Sequence, residues 1–266
     1  MKTLTLLLLL TTSLLFGESA KYDVTFSVFG KIGEADVTME RTDSTYLITI
    51  DSKTTGTAAD LSNNRKEKYI SQGSVIAGRL VPDVLTIERS TDDKLEFTSF
   101  LFDHNDHNIS VEKAKVEKVT KSSIDLFTLS VTRTKHDTFS ASQKYNDFYT
   151  QNDIVSLFFN ASHYLKEMHP GDEKTLQAVG VSTDNGEVAI AAPKQKQLHH
   201  MKKVMKGDHA DQFVRVGVSK DYFEDENGAL LVSLSPDTFP QEAMMESILM
   251  FGDIRGIRVY DNVARK

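Results

Sequence analysis

The sequence predicts a mainly β fold of the β-rich α+β kind: a curved antiparallel sheet forming a partly open barrel, with one or two helices packed across it. Three observations lead there. Apolar and polar residues alternate with a period of two in segment after segment, as half-buried strands require. Gly, Asn and Asp punctuate these segments at about ten-residue intervals, the rhythm of an antiparallel meander. One stretch only, QNDIVSLFFNASHYLKEMHPG from Gln151 to Gly171, carries a clear helical period.

The first twenty residues predict a signal peptide rather than part of the folded body. Lys2 supplies a positive start, LTLLLLLTTSLLF (Leu4 to Phe16) an apolar run, and GESA small residues for cleavage. A cut after Ser19 places Gly17 at the small-residue position; a cut after Ala20 would place Glu18 there. An uncleaved anchor is the competing reading, but a membrane span needs about 20 apolar residues, and this run is shorter. The expected organisation is a leader over 1–20 and a single β-rich periplasmic domain over 21–266. About 246 residues are enough for one well-buried core.

In the mature chain, YDVTFSVF (Tyr22 to Phe29) sets Tyr22, Val24, Phe26 and Val28 on one face. Gly30 and Gly33 bracket an expected turn, after which Ala35, Val37 and Met39 resume the alternation, and TYLITIDS repeats it through Tyr46, Ile48 and Ile50. DLSNNRKEKYISQG (Asp60 to Gly73) reads as a short helix or helical crossover, capped by Asp60 and ended by Gly73. Pro82 in LVPDVLTIERS has no N–H to give a ladder, which places it at a strand start or an edge.

LEFTSFLFDHNDHNISVEKAKVEKV predicts a hairpin turning at Asp103 to Asn108, and LFTLSVTRT and DTFSASQKY are further strands. In the helix, Asp153 is the cap. Ile154, Leu157, Phe158, Ala161 and Leu165 form the apolar stripe, and Pro170-Gly171 closes it. TLQAVGV, GEVAIAA, QFVRVGV, ALLVSLS and IRGIRVY return to strand, while PQEAMMESILMFG (Pro240 to Gly252) fits helix or strand. No linker or block of like charge marks a domain boundary.

Composition narrows the chemistry. The chain has no cysteine, which removes disulfides, a thiol nucleophile and a lipidated cysteine behind the leader. The exported protein is therefore not read as a lipoprotein. A net charge of −7 opposes a phosphate backbone, so nucleic acid is not an expected partner. The one dense basic stretch, KQKQLHHMKKVMK (Lys194 to Lys206), reads first as a solvated face, with anionic lipid or polysaccharide as the alternative.

Two segments echo each other: VGVSTDNGEVAI from Val179 and VGVSKDYFEDENGALLV from Val216. A nucleophile elbow needs Gly-x-Ser-x-Gly at a strand-to-helix turn, and Asp184 and Asp221 stand where the last glycine belongs. Asn-Gly corners follow both copies, so each reads as a hairpin. An enzyme working through Ser182 or Ser219 would need a histidine within hydrogen-bond reach. No catalytic residue and no cofactor are expected.

Asp103-His104-Asn105-Asp106-His107 is the densest group of potential metal ligands, yet it lacks the Gly and distal Glu of a calcium loop and reads as a solvated turn. No metal is expected there, or at His199, His200 and His209. Asp106-His107-Asn108-Ile109-Ser110 fits an extended bacterial glycosylation pattern, making Asn108 the candidate acceptor.

The order of several short motifs resembles the exported bacterial family called domain of unknown function 3108. They are GKIGEA (Gly30 to Ala35), TYLITI, Ser71-Gln72-Gly73 followed by Leu80-Val81-Pro82, Asn152-Asp153-Ile154-Val155-Ser156-Leu157, Gly171, LLVSLSPDTFP and Phe251-Gly252-Asp253-Ile254. The resemblance implies a partly open, barrel-like antiparallel sheet in the periplasm, with no catalytic residues to carry over and with strand at Pro240 to Met250.

The expected function is a non-enzymatic binding module for a lipid or other apolar cell-envelope molecule, because barrel mouths offer concave apolar cavities. Phe26, Val28, Tyr46, Ile48, Phe158 and Phe159 are the expected cavity lining. In the opposing reading the same side chains fill a solid core. The alternative function is an envelope assembly or scaffold factor that meets other proteins through a sheet edge.

Overall fold

The computed structural model describes residues 16–125, 130–181, 185–205, 212–217, 229–237, 239–245 and 252–260. The N-terminal half is a meander of β1 (Phe16–Phe26), β2 (Gly30–Arg41), β3 (Thr45–Thr54), β4 (Lys66–Ile76), β5 (Arg79–Thr91), β6 (Lys94–Asp103), β7 (Asn108–Asp125) and β8 (Ser130–Tyr145). The C-terminal half contains β9 (Glu173–Gln177), β10 (Glu187–Ala191), β11 (Gln212–Gly217), β12 (Ala229–Leu234), β13 (Pro240–Met245) and β14 (Ile254–Val259). Among the described residues, four helices accompany them: α1 (Thr57–Leu61), α2 (Ile154–Phe159), α3 (Ala161–Leu165) and α4 (Gln195–Val204).

All fourteen strands form one antiparallel sheet in the order β8-β7-β6-β5-β4-β3-β2-β1-β14-β13-β12-β11-β10-β9. The two meanders are joined where β1 pairs β14, from Lys21 opposite Val259 to Phe26 opposite Ile254. Among the described residues, β8 and β9 end the sheet without a further neighbour, so it is not closed.

Helices α2 and α3 lie on one face of this sheet, across both halves. Ile154 and Phe158 pack against the core of β1–β7, with Tyr22, Val37, Met39, Tyr46, Ile48, Leu85 and Ile109, and also against that of β9–β13, with Val188, Ile190, Val214, Val216, Val232 and Leu234. One short helical segment can touch both only if the sheet bends around it. Helix α4 covers the opposite face of the C-terminal half. Its Met201 and the following Met205 pack on Leu231 and Met244, and Leu231 alternates with Val232 along β12. A strand covered on both faces reads as a continuous apolar run, which is why ALLVSL does not alternate.

Several expectations change. Asp60 to Gly73 is not a helix: α1 ends at Leu61, and β4 begins at Lys66. Asn63 and Asn64 both take positive φ, 58° and 55°, and two consecutive left-handed residues stop a helix. The turn after β1 is Ser27–Phe29, so Gly30 and Gly33 lie inside β2 rather than around a turn. LFTLSVTRT and DTFSASQKY contribute to one strand, β8, and Pro240 to Met245 is strand.

Pro82 sits in the middle of the sheet. It is accommodated by a bulge, where the register shifts between Gln72 and Gly73 opposite Pro82. The expected single helix is two short ones, α2 and α3, parted at Asn160. Strand β1 begins at Phe16, upstream of the expected cleavage. Gly17, Glu18 and Ser19 are exposed, and burial starts at Ala20.

Candidate functional site

The most connected polar cluster lies where α2 and α3 meet β4 and β5. Asp153 caps α2, its Oδ1 accepting from the Ser156 amide at 2.7 Å, while the Ser156 hydroxyl oxygen accepts from the Asp153 amide at 3.1 Å. This reciprocal box satisfies helix donors that would otherwise be orphaned. The other carboxylate oxygen accepts from the Ser71 hydroxyl of β4 at 2.6 Å, and Ser71 is 3.0 Å from the Tyr46 hydroxyl of β3.

One turn later, Asn160 clasps β5 like a backbone partner. Its Oδ1 accepts from the Leu80 amide at 2.9 Å and its Nδ2 donates to the Leu80 carbonyl at 2.8 Å. Arg79 donates to the Tyr164 hydroxyl, which donates to Asn152. Apart from the Arg79 Nε, the buried side-chain polar groups here have their partners, as low local dielectric demands. Burial raises the Tyr46 phenol, and it pushes the Asp153 carboxyl up to about 6 against the donors that hold it.

This seam positions helices; it does not offer a reactive surface. Asp153, Ser71 and Ser156 are fully buried and Tyr46 nearly so, so no substrate reaches them. At this seam Ser71 donates to Asp153, and Gly73 faces Pro82.

The expected cavity lining separates into different places. Tyr46, Ile48 and Phe159 belong to the packed core, with Phe158 against it. Phe26 is half-buried at the end of β1, its ring 5.6 Å from that of Phe29. Val28 does not share the face of Tyr22, because it stands in the β1–β2 turn and is 59% exposed. Tyr46, Ile48 and Phe159 are thus buried in the core, and Val28 is exposed at its fringe. Ile48→Val is expected to cost about 1 kcal/mol through lost packing, and Val28→Ala less than about 0.5 kcal/mol as an exposed change. Urea denaturation of the two variants checks the difference.

The Asp103 to Asn108 hairpin is where the sequence places it, with Asp103 opposite Asn108. Asp103 accepts from the amides of Asn105 and Asp106, forming the turn itself. His104 uses one ring nitrogen on the Tyr149 hydroxyl and the other on the Pro82 carbonyl, and His107 uses one on the Asn105 carbonyl. Asn108 is half-buried at the start of β7. Among the described residues no three His, Asp or Glu side chains converge as a metal ion would need. His199 and His200 are exposed on α4, whereas Ser182, Asp184, His209, Ser219 and Asp221 lie outside the described residues. Strands β9 and β10 pair antiparallel, as do β11 and β12, and Gly186 takes φ 69°.

The sheet offers an open groove elsewhere, on β6–β8. Its volume is about 540 Å³, and Phe97, Ser99, Glu112, Ala114, Ala141 and Gln143 line it. Register explains the shape: Phe97, Ala114 and Ala141 form one row across the strands, and Ser99, Glu112 and Gln143 the next. Small alanines make the floor. Leu95, Val116 and Phe139 flank it on one side, and Leu101, Ser110 and Tyr145 on the other.

The usual polarity of a sheet is reversed at this end. The face shared with the core carries the ion pairs Lys94–Glu96 and Lys115–Glu117. The outward face carries Phe97, Leu101, Phe139 and Tyr145, all exposed. A contiguous exposed apolar patch marks an interaction site. Sequence reading missed it because LEFTSFLF is apolar on both faces, and the covered face is set by helices far along the chain.

No protein-family model, no curated protein and no solved structure matches this chain.

Proposed function

We propose that the protein is a non-enzymatic binding module of the periplasm that takes an acyl chain or similar elongated apolar envelope molecule on the outward face of β6–β8. The observation that carries this reading is the groove floored by Ala114 and Ala141 and bordered by Phe97, on a face whose apolar residues no described element covers. Its volume of about 540 Å³ is in the range of small-ligand sites. Glu112 and Gln143 at one end supply polar atoms for a headgroup; Gln143 donates to Glu112 at 3.3 Å in the free protein. The leader pattern supports the location. No helix among the described residues is long and apolar enough to cross a membrane.

The test is uptake of a fluorescent fatty acid by the purified protein, with native mass spectrometry of the same material. Binding is expected, and Ala141→Glu is expected to weaken it at least about tenfold, since an unpaired carboxylate would be buried under the chain. A ligand-free mass with no uptake would overturn the proposal, as would uptake unchanged by Ala141→Glu in a folded variant. A second reading, an assembly or scaffold factor, is favoured by one specific feature: the long unpaired edge of β8.

A further inference from the structure

The two ends of the open sheet are built differently. Strand β9 is five residues long, EKTLQ, and begins with an acid and a lysine. Short charged edges of this kind resist pairing with another chain. Strand β8 spans sixteen residues without a proline, and among the described residues only β7 is beside it. Every residue from Asp137 to Tyr145 is exposed, Phe139 by 72% and Tyr145 by 70%. Such an edge presents a row of unpaired amides and carbonyls, which an added strand satisfies.

We propose that β8 pairs with β8 of a second copy of this chain, antiparallel about a two-fold axis near Ala141, so that two open sheets become one. The two exposed rings fit this occupant, because Phe139 and Tyr145 lie on the same face of β8. With Ala141 opposite its own copy, Phe139 faces Gln143 of the second copy and lies diagonal to Tyr145 of that copy. Diagonal aromatic neighbours remain within contact on one sheet face. Both exposed rings of each protomer then gain a neighbour across the axis. The pairing does not depend on whether the groove takes an acyl chain.

Because the chain has no cysteine, a single introduced thiol reports the register cleanly. Opposed residues in antiparallel strands have Cα atoms about 4.5–5.5 Å apart, within the span of a disulfide. Mild oxidation of Ala141→Cys is expected to give a covalent dimer, and Lys174→Cys on the β9 edge is expected to remain monomeric. Light scattering should give twice the monomer mass for the unmodified protein and the monomer mass for Phe139→Lys/Tyr145→Lys, which keeps a cooperative thermal transition. A monomer mass for the unmodified protein at every concentration would overturn the proposal. So would crosslinking through Lys174→Cys but not Ala141→Cys. If the double-lysine variant fails to fold, the crosslinking pair still decides.

Discussion

Gly73→Ala is expected to cost more than about 4 kcal/mol, or to prevent folding altogether, the range reserved for a backbone that has no room to move. Gly73 has no unusual φ, so the cost is not conformational. A Cβ added there would lie 2.1 Å from the Val81 carbonyl oxygen, 2.7 Å from the Asp83 amide nitrogen and 2.8 Å from the Pro82 Cα. All three are backbone atoms and cannot swing aside. They are close because Pro82 cannot donate to the ladder, and β5 bulges beside it, with Asp83 as the extra residue between the pairs Gln72–Val84 and Gly73–Pro82. The strain would spread into the seam, since Ser71 on one side and Leu80 on the other hold α2 and α3.

Gly256→Ala is the matched control. It also lies in a strand, and its added Cβ would meet nothing within 4 Å; it is expected to change stability by less than about 1 kcal/mol. Far-UV circular dichroism and urea unfolding of the two variants compare them directly. A loss under about 1 kcal/mol for Gly73→Ala would show that the bulge relaxes and that the seam does not depend on it.

Why the strands were legible and the seam was not follows from range. Val37, Met39, Tyr46 and Ile48 are buried with the period the sequence shows, because alternation is a local consequence of the pleat. The cap at Asp153 was equally local. Its partnership with Ser71, 82 residues away, is invisible in sequence, since a lone serine in a strand looks like any solvent-facing position. The same limit explains the misplaced helix. Lys66, Glu67 and Lys68 gave β4 the charge of a helical surface, while the residues facing the core, Tyr69, Ser71 and Gly73, include only one large apolar side chain. Phe159 was recognised as apolar and inward, but whether it lined or filled a space depended on Phe239, whose ring lies 5.5 Å away and arrives from the other meander.

Asp153→Asn is expected to gain stability over the natural protein as pH rises from 4 to 6.5, by a difference of about 2 kcal/mol across that window. The Asp153 carboxyl is pushed up to about 6 in the folded state by burial, from a starting value of 3.8. Its folded pKa is therefore raised, so between those values the folded protein binds more protons than the unfolded chain, and stability falls with pH. The stability from this proton is fully present below about pH 4 and lost as pH passes through about 6, each unit being about 1.4 kcal/mol. The amide that replaces the carboxyl carries no charge to desolvate, so that slope disappears.

The amide also keeps the hydrogen bonds. Its oxygen accepts from the Ser156 amide, and its NH2 donates to Ser71, whose hydroxyl turns to donate to Tyr46, a pair in which either oxygen can be the donor. Asp153→Ala differs because it removes the cap and orphans both buried donors, for a loss of about 2–4 kcal/mol near pH 4. Urea midpoints at half-unit pH steps separate the three proteins. Parallel profiles for the natural protein and Asp153→Asn would mean that the carboxylate enters the seam charged at no cost, and that its donors, rather than its burial, set its acidity.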